Sequence, residues 1–460
     1  MRNRGLFVLL FLLGLSCHAQ PGPTGARDKN DKKLEAAIDG YLRPYALGNN
    51  FVGAVLIAQK GQVLLKKAYG QANYELNAAN TPETRFHIAS VSKPFTSAAI
   101  LLLQERGLLK TSDPLAKFVP DYPNGDEITL RHLLTHTSGI PNINNFPDYD
   151  EWAKTRHTVA ELVAKFKDKP LEFQPGEKYQ YSNSNYNLLA YIIEKVSGES
   201  YGDFLQRNIF VPLGMSRTGH DGNASTMIPD RASGYQPVGL DDLENAPFLD
   251  WSNKTGNGSL YSTLDDLYKF DRALYSDRLL SKASRDEMFA DAKGIHYGWA
   301  TGEQDGHKLI SINGRSPGFN ATLLRFVNDD ACIIVLSNSY SSVSQTVVAP
   351  DLARILFGRP PGSPLKVEPL NLKKAENYLG RYQFGADYFR PNSVVTLERE
   401  GNHLVMRWES GLSGALIPTG EDEFIERAFW GSITFPKDQA PATQLTYKLL
   451  GSFTAKRTRQ

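Results

Sequence analysis

Apolar residues near the start of the chain predict a helix followed by a β-hairpin. From Asp31 to Leu47 they recur every three to four residues, so they share one helix face. Val52–Ala58 and Val63–Tyr69 are apolar-rich runs on either side of a Lys-Gly turn, which is typical of a hairpin.

Helical patterns dominate the middle of the chain. The strongest helix runs from Ser92 to Arg106, with Pro94 in its first turn and Gly107 just past its end, where these residues are favoured. Further helices are predicted at residues 128–135, 159–166, 187–196, 201–209 and 262–275.

Strand patterns replace the helical ones after Tyr297. They cover residues 308–312, 321–326 and 331–337 and are followed by a closing helix at 347–356. This order of elements indicates an α+β fold. We predict one antiparallel sheet, built from the early hairpin and the late strands, flanked by helices and joined to a helical subdomain.

Chain length and a change of pattern predict a second domain. The chain has 460 residues, whereas a single core stops growing near roughly 250–300 residues. We assign residues 31–358 to the α+β domain, the proline- and glycine-rich residues 359–369 to a linker, and residues 370–460 to a small all-β barrel or sandwich. We expect residues 1–358 to fold alone once the leader is removed.

Residues 1–19 are typical of a signal peptide. Two arginines precede Leu6–Leu15, an apolar run too short to cross a bilayer as a helix, and small residues permit cleavage after Ala19. Lipidation at Cys17 is a less favoured alternative, because Gly14 stands where a lipobox usually has leucine. The mature chain has no predicted transmembrane segment, and we expect an exported protein, periplasmic or secreted.

The net charge and the positions of the cysteines limit the binding partners and the disulfide bonds that can be expected. The formal net charge is +1, and removal of residues 1–19 with their two arginines changes it to −1. A near-neutral protein gives no electrostatic reason to bind nucleic acid or anionic lipid. Because the cysteines are Cys17 and Cys332, the mature chain has no intramolecular disulfide, and Cys332 is expected to be a core residue.

Ser90 and Lys93 are the first candidates for chemistry. They are three residues apart at the edge of the strong helix, so the amine can reach the serine oxygen. The helix N-terminus is electropositive, which disfavours a protonated lysine and helps it to accept a proton. A serine helix cap with a solvated lysine explains the same spacing.

Two further segments carry candidates. Tyr181 and Asn183 follow a Pro-Gly pair and open a helix. A tyrosine and a lysine can share a proton, and a phenolate beside an ammonium group can act as a general base. A half-buried tyrosine and an asparagine cap are the alternative. Asn313, Gly314 and Arg315 end a predicted strand whose backbone N–H can help to form an oxyanion hole, or which simply ends there.

These candidates, in this order, resemble the serine β-lactamase and penicillin-binding-protein superfamily, which includes class C β-lactamases, D-alanyl-D-alanine carboxypeptidases and related esterases. The resemblance covers residues 32–358 and is carried by Phe86-His-Ile-Ala-Ser-Val-Ser-Lys-Pro-Phe-Thr96, Ile128-Thr-Leu-Arg-His-Leu-Leu-Thr-His-Thr-Ser-Gly-Ile-Pro141, Pro175-Gly176, Pro212-Leu-Gly-Met215, Gly258-Ser-Leu-Tyr-Ser-Thr263 and Pro317-Gly-Phe319. It implies the β-lactamase/transpeptidase-like fold.

The resemblance also implies a role for each candidate. Ser90 is acylated, Lys93 takes its proton, and Tyr181 relays protons to the leaving group and from the deacylating water. Asn183 hydrogen-bonds Lys93 and the substrate, and the backbone N–H groups of Ser90 and Arg315 form the oxyanion hole. No metal or organic cofactor is implied.

Ile312 departs from the pattern of this superfamily, which usually has lysine or histidine two residues before Gly314. A cation there lowers the pKa of the tyrosine and helps to bind a substrate carboxylate. Asn313 or Arg315 is a speculative substitute through hydrogen bonding or charge. The departure weakens the case for penicillin turnover and leaves ester hydrolysis less affected.

Two other motifs give little support to different chemistry. Gly198-Glu-Ser-Tyr-Gly202 fits the nucleophile elbow, but a helix precedes it where a strand is needed. His132 and His136 have the spacing of metal ligands, but the glutamate of the metalloprotease motif is absent, so structural histidines are favoured.

The sequence therefore leads to two functional hypotheses. The first is a serine hydrolase that cleaves a small ester, a D-amino-acid peptide or a β-lactam through an acyl-enzyme on Ser90. The second is a penicillin-binding-like protein with weak or no turnover that binds or regulates. The oligomeric state is left open.

Overall fold

The protein has the expected α+β fold followed by an all-β domain. The computed structural model describes residues 29–290, 296–362, 365–409, 411–437, 439–449 and 451–458. Its helices are α1 (Lys29–Leu47), α2 (Lys93–Glu105), α3 (Leu130–Leu134), α4 (Tyr149–Trp152), α5 (Val159–Lys167), α6 (Asn183–Ser197), α7 (Tyr201–Leu205), α8 (Val211–Leu213), α9 (Leu264–Ala273), α10 (Lys282–Met288), α11 (Ala349–Leu356) and α12 (Leu372–Ala375).

Most of the strands belong to two large sheets. The strands of the first domain are β1 (Gly53–Gln59), β2 (Gln62–Tyr69), β3 (Gln71–Asn73), β4 (Ala78–Ala79), β5 (Phe86–His87), β6 (Gly219–His220), β7 (Tyr235–Val238), β8 (Asp242–Asn245), β9 (Leu260–Ser262), β10 (Ala300–Gln304), β11 (His307–Ser316), β12 (Phe319–Phe326) and β13 (Ala331–Ser337). Those of the second are β14 (Gly380–Phe384), β15 (Val394–Glu400), β16 (His403–Trp408), β17 (Ser413–Pro418), β18 (Glu423–Glu426), β19 (Gly431–Thr434), β20 (Gln444–Lys448) and β21 (Ser452–Arg457).

The first domain is organised around a six-stranded antiparallel sheet with the order β10-β11-β12-β13-β1-β2. The early hairpin joins the late strands through the pairing of β1 with β13, in which Gly53 lies opposite Ser337 and Gln59 opposite Ala331. The prediction that these segments share one sheet is therefore confirmed. Strand β10 was not predicted from the sequence.

The sheet separates two hydrophobic cores, because alternate residues of a strand point to opposite faces. Leu56 and Ile334 lie in the core of the helical region, which includes α2 and α6. Their neighbours Ile57 and Val335 lie in the core formed with α1 and α11. The 3₁₀ turn Ala89–Ser92, which leads into α2 and carries the first candidate residue, packs against β11 and β12 of this sheet.

Three predicted elements differ at their ends. Helix α6 begins at Asn183, four residues before the predicted start, so this candidate is the first residue of the helix. The helix expected at 128–135 is only α3, because Thr129 is an extended N-cap and Thr135 leaves the helical conformation. The strand expected at 308–312 continues as β11 to Ser316.

The C-terminal strands β14 to β21 form a closed antiparallel barrel of eight strands. Closure pairs every strand on both sides and leaves no open sheet edge. Side chains such as Tyr382, Leu404 and Leu445 fill its interior and form a core separate from those of the first domain. Of the predicted barrel or sandwich, the barrel is therefore the form present.

The barrel packs against the first domain through the segment between β18 and β19. Trp430 lies in the core beneath α1, where its ring centre is 6.1 Å from that of Tyr45. Arg427 is fully buried and donates hydrogen bonds to carbonyl groups of the first domain. The two domains therefore share apolar and polar contacts.

The predicted signal peptide, residues 1–19, lies outside the described residues. Within the described ranges, no helix combines the length and apolar character needed to cross a membrane. Cys332 is buried in β13, as expected for a core residue.

Candidate active site

Ser90 lies in a single 3₁₀ turn, Ala89–Ser92, that leads directly into α2. Ala89 has a φ of 45°, a left-handed conformation that is costly for a residue with a side chain. The N–H of Val91 donates to the carbonyl of Ile88 at 3.0 Å, which closes this turn. The strained turn therefore holds Ser90 just before the start of α2, and Ser90 is not a simple helix cap.

Lys93 is buried, and its amine contacts three oxygen atoms. Nζ lies 3.0 Å from Ser90 Oγ, 2.9 Å from Asn183 Oδ1 and 2.9 Å from the carbonyl oxygen of Asn257. Burial lowers the pKa of Lys93 well below its ordinary value, and the positive charge of Lys254 lowers it further. The alternative of a solvated lysine at this position is wrong.

Tyr181 completes a continuous hydrogen-bonded chain with the serine and the lysine. Its Oη lies 2.8 Å from Ser90 Oγ, and Lys93 Nζ is 4.9 Å from the centre of its ring. Although 39% of Tyr181 is exposed, partial desolvation among the residues that surround it raises its pKa above the ordinary value. The phenol is therefore protonated at neutral pH, and the pKa shifts favour Lys93 over a phenolate as the base.

Two hydrogen bonds fix the orientation of Asn183 at the start of α6. Its Nδ2 donates to Asn144 Oδ1 at 2.9 Å, and its backbone N–H donates to Asn142 Oδ1 at 3.1 Å. These bonds orient the Oδ1 atom toward Lys93. Asn183 thus contacts Lys93 as the resemblance implied.

His136 packs against Tyr181 and hydrogen-bonds to the residues on either side of it. Its carbonyl accepts the N–H of Gln180 at 2.9 Å, and its Nδ1 accepts the N–H of Ser182 at 3.2 Å, so it holds the residues on both sides of Tyr181. Its ring centre is 4.6 Å from that of Tyr181. Burial lowers the pKa of His136 to about 3, so the imidazole is neutral.

The third candidate segment lies at the edge of β11, next to Ser90. A Cβ atom at Gly314 would come within 2.6 Å of the backbone nitrogen of Ser90, so only glycine allows this approach. Strand β10 pairs with β11 only as far as Ser311. Among the described strands, none covers that edge of residues 312–316, which leaves it open to the cleft.

The side chain of Arg315 points away from the reaction centre. Its guanidinium carbon is 3.7 Å from the ring centre of Tyr340 and 4.2 Å from that of Phe429 in the barrel, and Nη2 donates to the carbonyl of Tyr340 at 3.0 Å. The suggestion that its charge replaces the missing cation therefore lacks support. Asn313 is exposed on the same face, and Ile312 faces the core on the Ser90 side.

A cleft of about 460 Å³ opens over Ser90, Lys93 and Tyr181. Its walls include Tyr179, Trp299 and the strand residues Ile312, Asn313 and Arg315. Within the described ranges, histidine, cysteine and acidic side chains form no group of three or more that could hold a metal ion. The ionisable groups that line the cleft beside Ser90 are the amine of Lys93, the phenols of Tyr179 and Tyr181, the imidazoles of His136 and His296, and Arg315.

The competing motifs have structural roles. Nδ1 of His132 accepts the N–H of Thr129 at 3.2 Å and helps to cap α3, while His136 supports the tyrosine segment. Ser200 caps α7 by accepting the N–H of Asp203 at 3.1 Å. The preference for structural histidines and for a helix cap at Ser200 is confirmed.

Comparison with known proteins agrees with this geometry. The family model described as Beta-lactamase matches residues 38–356, more than half of the chain. The protein belongs to the beta-lactamase family. This family connects the chain with serine hydrolases and acyl-transferases, and the resemblance inferred from the motifs is confirmed.

Relatives of this beta-lactamase family protein extend over most of its length. "Penicillin-binding protein 4*" of Bacillus subtilis (strain 168) is 29% identical over 417 residues, which are 84% of this chain and 90% of that protein. The octameric penicillin-binding protein homologue of Pyrococcus abyssi has a TM-score of 0.62 at 25% identity and covers 93% of this chain and 98% of its own. A D-stereospecific amidohydrolase of Streptomyces has a TM-score of 0.58 at 25% identity and covers 66% and 94%.

Two contributions to the site of this family member were not predicted from its sequence. The carbonyl of Asn257 contacts Lys93, although no sequence pattern indicates that a backbone oxygen would do so. Lys254, three residues earlier, is buried near the same amine. A lysine within the glycine-rich run Lys254-Thr-Gly-Asn-Gly258 is the signal that would have drawn attention to this turn.

Proposed function

We propose that the protein hydrolyses small esters or amides through an acyl-enzyme on Ser90. The observation that supports this most directly is the unbroken chain of hydrogen bonds from Tyr181 through Ser90 to Lys93. A nucleophile that contacts both a proton acceptor and a proton donor has what acyl transfer requires. The similarity to an amidohydrolase and to penicillin-binding proteins agrees with this chemistry.

In the proposed acylation, the neutral amine of Lys93 takes the proton of Ser90 as Oγ attacks the substrate carbonyl carbon. A neutral amine has two N–H donors and one lone pair. The donors fit Asn183 Oδ1 and the carbonyl of Asn257, and the lone pair faces Ser90 Oγ. The backbone N–H groups of Ser90 and Arg315 stabilise the negative charge on the carbonyl oxygen.

The remaining steps return each proton to its origin. Tyr181 donates its proton to the leaving oxygen or nitrogen as the bond to the acyl carbon breaks, and the protonated Lys93 restores the phenol. In deacylation, a water molecule gives a proton to the same relay and attacks the acyl carbon. Ser90 Oγ leaves with a proton, the acid product departs, and the starting state is regenerated.

We further propose that the preferred substrates are uncharged near the scissile bond. Ile312 offers no charge to a carboxylate, and the guanidinium of Arg315 is held between two rings on the other face of β11. Tyr179 and Trp299 give the cleft aromatic walls. This combination favours esters and amides of aromatic or apolar acyl groups over substrates with a free carboxylate.

The test uses purified mature protein, a fluorophosphonate probe and p-nitrophenyl acetate. We expect labelling and ester turnover in the wild type, and loss of both in Ser90→Ala. Ser200→Ala is the matched control, because Ser200 belongs to the rival elbow motif, and it should behave as the wild type. Labelling that persists in Ser90→Ala would show that another residue is the nucleophile.

A binding or regulatory protein with slow turnover is the second candidate, and Ile312 is the observation in its favour. Such a protein would react with the probe at Ser90 and form a lasting acyl-enzyme. A stoichiometric burst of p-nitrophenol without a steady state would support it. Continuous turnover after the first equivalent of product would reject it.

We propose export for the whole chain, on the basis of residues 1–19 and of the similarity to penicillin-binding proteins. N-terminal sequencing of protein recovered outside the cytoplasm should begin at Gln20. A Cys17→Ser variant distinguishes the two possible routes of leader processing, because it blocks lipidation and leaves cleavage after Ala19 intact. Retention of the full leader in the cell would contradict the proposal.

A further inference from the structure

The side chain of Arg315 is held by the C-terminal barrel. Its guanidinium carbon lies 3.7 Å from the ring centre of Tyr340 and 4.2 Å from that of Phe429. Its Nη2 donates to the carbonyl of Tyr340 at 3.0 Å and to that of Ala428 at 3.4 Å. Ala428 and Phe429 belong to the barrel turn, by which we mean residues 427–430 between β18 and β19. Because the guanidinium is both stacked and hydrogen-bonded, its position relative to this turn is well defined.

The barrel turn is itself hydrogen-bonded to both domains. The carboxyl group of Glu426 accepts the backbone N–H groups of Ala428 and Phe429, the second at 2.8 Å. On the side of the first domain, the carbonyl of Ala428 accepts the N–H of Ser342 at 2.9 Å. These bonds fix the backbone that carries the Phe429 ring, so the ring is a firm support for Arg315.

Arg315 lies in a part of β11 that is paired on one side only. Strand β10 pairs with β11 as far as Ser311, so residues 312–316 pair with β12 alone among the described strands. Gly314 contributes no side-chain packing, and the side chain of Asn313 is exposed. A segment with few contacts opens more easily than a central strand. The contacts of Arg315 with the barrel are therefore a second attachment for this segment.

The position of this segment bears directly on the nucleophile. A Cβ atom at Gly314 would lie 2.6 Å from the backbone nitrogen of Ser90, so β11 passes immediately beside the serine. The proposed mechanism uses the next N–H along the strand, that of Arg315, in the oxyanion hole. Such a donor acts only at about 2.7–3.1 Å from the oxyanion, and a displacement of about 1 Å can reduce the rate by about 100-fold.

We propose that Phe429 and the side chain of Arg315 are positioning residues, through which the barrel holds the backbone N–H of Arg315 in the oxyanion hole. This inference rests on the proposed function, because it assumes that this N–H stabilises the oxyanion. The guanidinium takes no part in the reaction, since it packs on the face of β11 opposite Ser90. Loss of its support weakens binding of the transition state and leaves binding of the substrate in the cleft unchanged.

The attachment of the two domains does not depend on Phe429. Arg427 donates to the carbonyl of Gly48 at 3.1 Å, and the ring of Trp430 lies 6.1 Å from that of Tyr45. Both side chains are buried, whereas Phe429 is only partly buried. Truncation of Phe429 therefore removes the support of Arg315 while the barrel stays in contact with the first domain.

The test measures kcat and KM for p-nitrophenyl acetate in Phe429→Ala and Arg315→Met. Acylation and deacylation both pass through an oxyanion, so we expect kcat to fall about tenfold in each variant while KM stays within about twofold. Phe429→Tyr keeps the ring and should keep the wild-type kcat. Phe389→Ala is the matched control, because Phe389 lies on the barrel surface and is 56% exposed. A wild-type kcat in both test variants, or an equal loss in the control, would overturn the inference.

The double variant Arg315→Met/Phe429→Ala tests whether the two side chains act as one unit. If Phe429 acts through Arg315, the double variant should lose no more activity than either single variant, about tenfold. Independent contributions would instead multiply to about 100-fold. That result would show that the ring acts by a route other than Arg315.

Binding of phenylboronic acid separates this inference from the proposed function, because calorimetry detects it without turnover. Ser90 Oγ adds to boron as Lys93 takes the serine proton, and the anionic tetrahedral adduct places a hydroxyl oxygen in the oxyanion hole. We expect its Kd to rise about tenfold in Phe429→Ala. If that variant does not fold, Arg315→Met gives the same comparison from the other side of the contact. Equal affinity in wild type and variant, or no binding to either, contradicts the inference. Binding that depends on Phe429 but is not accompanied by turnover would reject only the hydrolase proposal.

Discussion

Replacement of Arg427 tests whether the barrel supports the first domain. The side chain is fully buried and donates six hydrogen bonds, to Asn50 Oδ1 and to the carbonyls of Gly48, Asn49, Val238, Gly239 and Asp242. All of these acceptors belong to the first domain. Arg427→Met retains much of the volume and removes every donor, so it isolates the polar part of the contact.

The cost follows from two opposing quantities. Burial lowers the pKa of Arg427 to about 10, which corresponds to about 3 kcal/mol spent on burying the charge. The five N–H groups of the guanidinium are shared among the six acceptors and, at about 1 kcal/mol each, contribute about 5 kcal/mol in the other direction. The methionine variant loses both, so we expect a net loss of about 2 kcal/mol in the free energy of unfolding.

Urea denaturation and thermal melting of the full chain provide the measurement. Arg407→Met is the matched control, because Arg407 lies on the barrel surface, is 41% exposed, and pairs with Glu398. Exposed pairs contribute about 1 kcal/mol or less, so this control should change little. Arg427→Lys should lie between, since one ammonium group cannot satisfy six acceptors. If Arg427→Met unfolds at the same urea concentration as Arg407→Met, the reasoning about this contact is wrong.

Three other predictions follow from the structure. Burial raises the pKa of Glu426 from 4.5 to about 7, so between these pH values the folded state retains a proton that the unfolded chain has lost. The protonated carboxyl contributes about 3 kcal/mol to the free energy of unfolding below pH 4.5, and this contribution is lost as pH rises through 7. Glu426→Gln should flatten that part of the melting-temperature profile, and an unchanged slope would contradict the assignment. Ile312→His should raise nitrocefin hydrolysis several-fold if the missing cation limits turnover of carboxylate-bearing substrates; no gain in a folded variant counts against this account. A fragment of residues 29–358 should aggregate or have a lower melting temperature than the full chain, because it exposes the surface that Trp430 covers. A cooperative transition at the melting temperature of the full chain would instead support the expectation that the fragment folds alone.

The parts of the fold that sequence patterns predicted are those set by local periodicity. Helices α2 and α5 and strands β1, β2 and β13 each have a clear period, and their positions agree with the prediction within a few residues. Strand β10 lacks such a pattern, because its residues Ala300–Gln304 include glycine and are mostly exposed. Its place in the sheet is decided by pairing with β11.

The contacts of the candidate site also fall into two groups, those that local sequence spacing predicts and those that only the folded chain brings together. Ser90 and Lys93 are adjacent because of helix geometry, which a spacing of three residues already shows. Their contacts with Tyr181 and Asn257 join segments that are distant in the sequence, so only the folded chain reveals them. The burial of Lys254 is not predictable from the sequence, because a single lysine in a loop is ordinarily solvated and burial is a tertiary property.

Strand alternation explains why the missing cation is not replaced by its neighbour in the chain. Gly314 faces Ser90, and Ile312, two residues away, lies on the same face, whereas Arg315 must point to the opposite face. On that face the guanidinium packs against Phe429 of the barrel and cannot also reach a substrate bound over Ser90.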